Sequence, residues 1–195
     1  MSDELERPTF DDEYLDRVTE RLMYSYDLER DRRAEGSRFE LYGRLRIESR
    51  KQFLHESINY ANQNVNEHLF VTRRESVSVA DLEPAVELAH ELADRGEWIT
   101  ADETHRSTEF TFVFVAPTLP DSVERFVRGF RDRTLLRYGY NGHYEVNLVV
   151  VAPEEESYVA SEAADVWRAF ALWTETDPDP EPGLLDRIRG LLKRE

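Results

Sequence analysis

Residues 110–115 read FTFVFV and residues 146–151 read VNLVVV, and these two stretches decide the fold. Both are short and almost wholly apolar, which is typical of strands buried on both faces of a sheet. Each is followed by Ala-Pro, an acidic loop and a predicted helix, over 121–134 and 157–173. The two segments fit a β-α repeat or, as we favour, two similar solutions to one packing problem.

A third helix is the clearest local signal upstream of these strands. Asp81 can cap it, Pro84 lies in its first turn and Gly96 follows its last residue, which predicts a helix over 81–95. An apolar stripe at helical spacing predicts an opening helix over 12–30.

Three strands are predicted between these two helices. Apolar and polar residues alternate over 39–47, which indicates a strand with one solvated face. The stretch 51–66 fits a helix or a strand, and we favour a strand over 51–58. A further strand is predicted over 68–74.

The element order is therefore α-β-β-β-α-β-α-β-α, which predicts an α+β (or α/β) fold with a single mixed β-sheet covered by helices. We expect this domain to span residues 10–174. A Pro-rich acidic linker over 175–183 and an amphipathic C-terminal helix over 184–195 complete the chain.

The charge pattern points to a salt-rich environment. The net charge is −16, and Lys51 and Lys193 are the only lysines. Molar salt shortens the Debye length to about 3 Å, which removes most of the self-repulsion of an acidic surface. We therefore expect a halophilic protein; the alternative is an ordinary acidic protein whose few lysines reflect GC-rich codons.

Several classes of function are disfavoured. Cysteine is absent, which excludes disulfides, thiolate zinc sites and a cysteine nucleophile. The first residues, MSDELERPTF, contain no secretory signal, and no apolar run approaches the ~20 residues of a membrane span. We expect a soluble, cytoplasmic protein.

Motifs for catalysis, cofactors and metals give no support for an enzyme. The chain has no GxxxxGK, GxGxxG or GxSxG motif. The stretch HELAD, which begins at His90, resembles the first half of the zinc-binding motif HExxH. Its fifth residue is Asp94, where the motif has its second histidine. We therefore predict no catalytic residue, no metal site and no cofactor.

Polar and aromatic residues near the ends of the predicted strands form the candidate site. Gly139 and Gly142 allow a sharply bent aromatic loop before the strand at 146. If these polar groups converge at one edge of the sheet, they form a binding pocket. The alternative is that each of them separately completes hydrogen bonds at the end of a strand. The candidate binding residues are Lys51, His55, Tyr60, His68, His105, Arg106, Tyr140 and His143.

Arginines form two basic clusters close to these residues. One spans 125–137 and the other spans 44–51. They indicate a small-anion site or, as we favour, arginines paired with nearby carboxylates. Nucleic acid is an unlikely ligand, because phosphate contacts weaken steeply in salt.

The sequence thus favours a binding or regulatory domain that takes a small anion or a protein partner. A nuclease-like, metal-dependent phosphoesterase is the main alternative, with Glu48 and Glu56 as its only carboxylates on the relevant strands. A third is a membrane-tethered adaptor, because the final helix can lie on a membrane, dock into a partner's groove or fold back on its own domain.

Three segments carry a resemblance to a known family. They are residues 50–70 (RKQFLHESINYANQNVNEHLF), 103–117 (ETHRSTEFTFVFVAP) and 135–151 (LLRYGYNGHYEVNLVVV). The chain resembles an uncharacterised haloarchaeal family with distant relatives in methanogens and clostridia, over residues 13–173. Arg50 stands where relatives have an acidic residue, and His143 where a bulky aromatic is common. The resemblance implies no activity.

Overall fold

The computed structural model describes residues 7–49, 63–99, 102 and 105–174. Within these ranges the helices are α1 (Glu13–Leu22), α2 (Val79–Asp94), α3 (Asp121–Gly129) and α4 (Trp167–Phe170). The strands are β1 (Asp27–Ala34), β2 (Ser37–Ser49), β3 (Gln63–Arg73), β4 (His105–Val115), β5 (Asp132–Leu135), β6 (His143–Ala152) and β7 (Ser157–Ala160). Single turns of 3₁₀ helix occur at Arg137–Gly139 and Pro153–Glu155.

One mixed sheet contains all seven strands of the described ranges. Its order is β1-β2-β3-β4-β6-β5, and β7 pairs with β6 on the same side as β5. Strands β3, β4 and β6 are mutually parallel, and the remaining pairings are antiparallel. This is the predicted α+β fold with a single mixed sheet.

Helices cover both faces of the sheet, so its central strands are buried on both sides. We call the side covered by α2 and α3 the α2 face, and the side covered by α1 and α4 the α1 face. The core of the α2 face is mainly aromatic on the strands: Tyr42, Phe70, Phe110, Phe112, Phe114, Leu148 and Val150. The core of the α1 face is aliphatic: Leu41, Leu69, Val71, Val113, Val115, Val149 and Val151. The two apolar runs are therefore central strands, as predicted.

The strand predicted over 39–47, the strand over 68–74 and the helix over 81–95 are all present with shifted bounds. The helix α2 begins after Ser78, which is the N-cap in place of the predicted Asp81; Asp81 lies in the first turn and completes a capping box with Ser78. Local capping and periodicity were sufficient signals here, because both depend on residues close in the chain.

The opening helix is shorter than predicted. Asp12 caps α1 by accepting hydrogen bonds from the backbone of Tyr14 and Leu15, and the helix ends at Leu22 rather than at residue 30. Tyr26 is buried beside this helix but lies outside it. The residues that follow form β1 instead, because they pair with β2 along the sheet, and such tertiary pairing overrides helix propensity.

The two predicted C-terminal helices are also corrected. The first, predicted over 121–134, ends at Gly129, and the chain then forms β5 against the start of β6. In place of a helix over 157–173, the chain forms β7 and the short α4. The two similar segments share a strand and Ala-Pro but diverge afterwards, which favours similar packing over a repeat.

Some predicted elements lie outside the described residues. These are the strand over 51–58, the linker over 175–183 and the helix over 184–195. Among the helices that are described, none has the length and hydropathy needed to cross a membrane.

Candidate functional site

Three of the candidate binding residues meet at a loop at the N-terminal end of the parallel strands. His105 and Arg106 begin β4, and Tyr140 lies in the segment that joins β5 to β6. We call this segment, residues 136–142, the tyrosine loop. Lys51, His55 and Tyr60 lie outside the described residues.

The tyrosine loop has an unusual backbone. Arg137 (φ 44°), Tyr138 (φ 59°) and Gly139 (φ 92°) are three consecutive residues in the left-handed region. Non-glycine residues adopt it at an energetic cost, and such strain concentrates at functional sites. As a result Tyr138 is 97% exposed and Tyr140 is 88% exposed.

Close contacts with β4 hold the tyrosine loop in place. His105 donates from Nδ1 to the carbonyl oxygen of Asn141 (2.7 Å), and the Thr108 hydroxyl donates to His105 Nε2 (2.9 Å). Both ring nitrogens of His105 are therefore bonded. Gly142 (φ 72°) lies so close to the strand that a Cβ would be 2.0 Å from the Arg106 carbonyl oxygen. The loop is therefore rigidly positioned although its tyrosines are exposed.

His143 points to the other side of the sheet from His105. Its Nδ1 accepts from Arg133 (3.2 Å), and its Nε2 lies 3.3 Å from a carboxyl oxygen of Glu145 on the α1 face. The hydroxyl of Thr108, which is bonded to His105, lies on the α2 face. Thr108 is two residues before Phe110 on β4, and side chains two residues apart on a strand point to the same face. The structure thus places these two imidazoles on opposite faces.

His68 lies in an aromatic environment within the α2 face. The Tyr42 hydroxyl donates to its Nδ1 (2.7 Å), and its Nε2 donates to the Trp98 carbonyl oxygen (3.0 Å). Its ring stacks on Phe110 at 5.5 Å. Burial lowers the pKa of His68 to about 4, so it is neutral near pH 7. Both of its ring nitrogens are therefore bonded inside the core.

Most arginines of the cluster at 125–137 are paired with carboxylates. Arg131 contacts Glu162 at 2.7 Å, Arg133 contacts Glu145 at 3.5 Å, and Arg128 pairs with Glu124. The favoured interpretation of paired arginines therefore holds for these three. Arg125 and Arg137 are exposed and have no carboxylate within 4 Å among the described residues, and of these two Arg137 lies in the tyrosine loop.

A second group of polar residues was not predicted from the sequence. Glu67, Glu109 and Glu145 are consecutive partners across β3, β4 and β6, and all three lie on the α1 face. We call them the glutamate row. Neighbouring strands are about 4.8 Å apart, so the three side chains lie side by side. Glu67 is 1% exposed, Glu109 is 9% exposed and the Glu145 side chain is 17% exposed.

Hydrogen-bond donors surround the glutamate row. Glu67 accepts from the hydroxyls of Tyr26 (2.6 Å) and Thr111 (2.8 Å). Glu109 accepts from the side-chain amide of Asn147 (3.3 Å). The sequence contained one signal of this row. Glu109 and Glu145 directly precede the apolar part of their strands, and His68 alone separates Glu67 from the apolar part of its strand.

His90, the residue of the HELAD stretch, is bonded to two neighbouring strands. The Tyr144 hydroxyl donates to its Nδ1 (2.8 Å), and its Nε2 donates to Asp132 (3.0 Å). It therefore links α2 to β5 and β6. Over the part of the chain that the structure describes, no group of three or more His, Cys, Asp or Glu side chains is arranged to hold a metal ion.

The fold and the tyrosine loop define a mixed-sheet α+β domain with an exposed aromatic loop at one end. The chain belongs to the family described as a domain of unknown function, DUF8052, whose model matches residues 11–172. No curated protein and no solved structure matches the chain.

Proposed function

We propose that this protein is a binding domain that holds an acidic partner protein through the tyrosine loop. The observation that carries the proposal is the near-complete exposure of Tyr138 and Tyr140 on a strained but well-anchored backbone. Exposed aromatic residues that a protein holds in place are typical of binding surfaces, where tyrosine is enriched among the residues that dominate affinity.

Rigidity supports this function. A loop that is already ordered loses little conformational entropy when it binds. Hydrogen bonds from His105 to Asn141 and from the Leu136 amide to the Gly142 carbonyl oxygen (2.9 Å) hold both ends of the loop. In this proposal His105 and Arg106 position the loop, and Tyr140 contacts the partner.

Charge and apolar surface determine the expected chemistry of the partner. Arg137 is exposed without a carboxylate within 4 Å among the described residues, and Leu135 beside it is 59% exposed. This combination suits a partner with an apolar groove bordered by acidic residues. A small anion is a weaker candidate, because three neighbouring arginines already face carboxylates.

High salt is part of the proposal. The net charge of −16 and the two lysines suit a salt-rich cytoplasm, where surface ion pairs are strongly screened. Contacts made by aromatic burial persist in such a solvent, because they do not depend on Coulomb attraction. We therefore expect the tyrosines to contribute more to affinity than Arg137.

A photo-crosslinking experiment tests this proposal. The phenylalanine analogue p-benzoylphenylalanine is placed at position 138, 140 or 24 in cells of the protein's own source, and adducts are identified by mass spectrometry. Tyr24 is the matched control, because it is 73% exposed but lies outside the tyrosine loop. We expect one acidic protein to be crosslinked from 138 and 140 and not from 24.

Affinity for that protein, measured in molar KCl, completes the test. Tyr138→Ala should weaken binding by about 30-fold or more, which is the usual effect of a dominant interface residue. Tyr24→Ala should leave affinity within about twofold, and neither variant should change the melting temperature, because exposed side chains contribute little to folding. Adducts with nucleic acid, or only with a second copy of the chain, would overturn the proposal.

The residues that would test the two alternative functions lie outside the described parts of the chain. For the nuclease-like phosphoesterase, the Glu48 side chain and Glu56 lie outside the described parts of the chain. For the membrane-tethered adaptor, the same holds for the helix over 184–195.

A further inference from the structure

Arg44 and Arg46 form an exposed basic pair on the α2 face of β2. They follow Tyr42 at intervals of two residues, so their side chains point to the same side of the sheet. Both are exposed, and neither has a carboxylate within 4 Å among the described residues, although Asp27 lies opposite Arg44 in the β1–β2 register. The basic pair is therefore a local positive surface on a chain of net charge −16.

A row of polar residues connects the basic pair with the tyrosine loop. Arg46 is opposite Asn66 on β3, and Asn66 is opposite Thr108 on β4. The Thr108 hydroxyl is bonded to His105, which in turn is bonded to Asn141 of the tyrosine loop. The loop is therefore anchored on the same face and at the same end of the sheet as the basic pair.

Asn66 supplies a hydrogen-bonding group between the two surfaces. Its side chain is half-buried and makes no hydrogen bond over the described ranges. A primary amide offers both a donor and an acceptor, which match the N–H and the carbonyl group of a peptide bond. Strands lie about 4.8 Å apart, so β2 and β6 are separated by roughly 14 Å, a distance that about four extended residues span.

We propose that an extended acidic segment of the partner protein crosses this end of the sheet, from the tyrosine loop to the basic pair. Its carboxylates meet Arg44 and Arg46, because guanidinium groups bind carboxylates with two parallel hydrogen bonds. This inference rests on the proposed function, and it adds the position of the partner's acidic residues and the direction in which the partner lies.

The basic pair and the tyrosines have different roles in this arrangement. Exposed ion pairs contribute little to affinity, and salt screens them further. Charged groups at the border of an interface instead fix the orientation of the partner and increase the rate of association. We therefore expect a modest and salt-dependent effect from the arginines, and a larger effect that depends little on salt from Tyr138.

Crosslinking from position 44 tests the course of the segment. The photo-reactive residue p-benzoylphenylalanine replaces Arg44 while Arg46 is kept, and position 33 is the control because Arg33 is exposed at the opposite end of the sheet. We expect the protein that is crosslinked from 138 and 140 to be crosslinked from 44 and not from 33. The site of attachment should lie in an acidic stretch, within about ten residues of the site reached from 140, because the two positions are only a few strand spacings apart.

The possible outcomes separate this inference from the proposed function. If that protein is crosslinked from 138 and 140 but not from 44, the acidic segment does not reach the basic pair, and the inference is overturned while the proposed function stands. Attachment from 44 at a stretch without acidic residues would also overturn it. If no protein is crosslinked from 138 or 140, both fail.

Affinity measurements with the purified partner captured from position 138 test the charge. The variant Arg44→Gln/Arg46→Gln is compared with Arg33→Gln/Arg74→Gln, which removes the same charge from exposed residues at the opposite end of the sheet. Binding is measured in molar KCl and at the lowest KCl concentration at which all the variants remain folded. Both variants should keep the melting temperature of the natural chain, because exposed side chains contribute little to folding.

We expect Arg44→Gln/Arg46→Gln to weaken binding by about fivefold or more at the lower salt concentration, mainly through slower association. In molar KCl the loss should shrink to about twofold, because the ion pairs are screened. The control variant should stay within about twofold at both concentrations. An equal loss in the two variants would show an effect of net charge alone, and that result, or an unchanged affinity of Arg44→Gln/Arg46→Gln at the lower salt concentration, would overturn the inference.

Discussion

Glu67 and His68 are adjacent in the chain, and both are buried at the centre of the sheet, on opposite faces. His68 is 3% exposed and Glu67 is 1% exposed. On the α2 face, His68 is neutral, stacked on Phe110 and bonded at both nitrogens. On the α1 face, Glu67 is a carboxyl group that hydroxyl groups stabilise.

The difference shows two ways in which a fold can bury a titratable group. The α2 face removes the charge, because burial away from water disfavours the imidazolium. The α1 face keeps a row of strong hydrogen-bond acceptors and surrounds it with donors. The first arrangement excludes charge from the core, whereas the second keeps polar groups in the core by bonding them to donors.

The largest effect is expected when an aromatic residue of the α2 face is removed. Phe110 is fully buried, and Phe110→Ala should lower the free energy of unfolding by about 3–5 kcal/mol through lost burial and a new cavity. The same variant should raise the pKa of His68 towards its ordinary value, because the imidazole becomes less buried. Urea unfolding at pH 7 and NMR titration of the imidazole measure the two effects.

Thr111→Val is the matched control for this variant on the other face. Thr111 is the next residue, and its hydroxyl donates to Glu67. Valine has nearly the same volume, so only the hydrogen bond is lost, and we expect a decrease of about 1–2 kcal/mol. Equal losses in the two variants would contradict the distinction between an aromatic face and a hydrogen-bonded face.

The next largest effect is a dependence of stability on pH caused by His68. The unfolded chain binds a proton at this residue below about pH 6.5, whereas the folded chain does so only below about pH 4. The free energy of unfolding should therefore be highest above pH 6.5 and fall by about 3 kcal/mol as the pH drops to 4. Below pH 4 the contribution of His68 should stay constant.

His68→Gln isolates this contribution, because glutamine keeps a donor and an acceptor but does not titrate. We expect the difference between the two unfolding curves to change most between pH 6.5 and 4, at up to about 1.4 kcal/mol per pH unit. Parallel curves over this interval would show that the aromatic environment does not hold the imidazole neutral.

The central strands and α2 were predictable from the sequence because their signals are local. Continuous apolar runs indicate strands that are covered on both faces, and the apolar spacing of α2 predicted a helix even though its N-cap is Ser78 and not Asp81. Strands β5 and β7 were missed, because each has four residues and is stable only through pairing with β6. Such pairing depends on residues distant in the chain, so local propensity favoured helices.

The candidate site was predictable to a similar extent. Gly139 and Gly142, with Tyr138 and Tyr140 beside them, indicated a bent aromatic loop, and the structure places His105 and Arg106 against it. The glutamate row could not be derived in the same way, because its alignment depends on the register of three parallel strands. Register follows from packing of the whole sheet and not from any one strand.

A matched pair of tyrosines provides the finest test of the two faces. The Tyr26 hydroxyl donates to Glu67 (2.6 Å) on the α1 face, and the Tyr42 hydroxyl donates to His68 (2.7 Å) on the α2 face. Burial raises the pKa of Tyr42 to about 12, so it remains a donor near pH 7. Each can be replaced by phenylalanine with the loss of one hydroxyl only.

Tyr26→Phe should be the more destabilising of the two replacements. Hydrogen bonds to ionised groups contribute about twice as much as those to neutral groups, so losses of about 2 kcal/mol for Tyr26→Phe and about 1 kcal/mol for Tyr42→Phe are the result expected of an ionised Glu67. Combining Tyr26→Phe with Glu67→Gln in a double-mutant cycle measures the first bond directly. A larger loss for Tyr42→Phe would reverse the assignment, because the α2 face would then be the one that depends on hydrogen bonding.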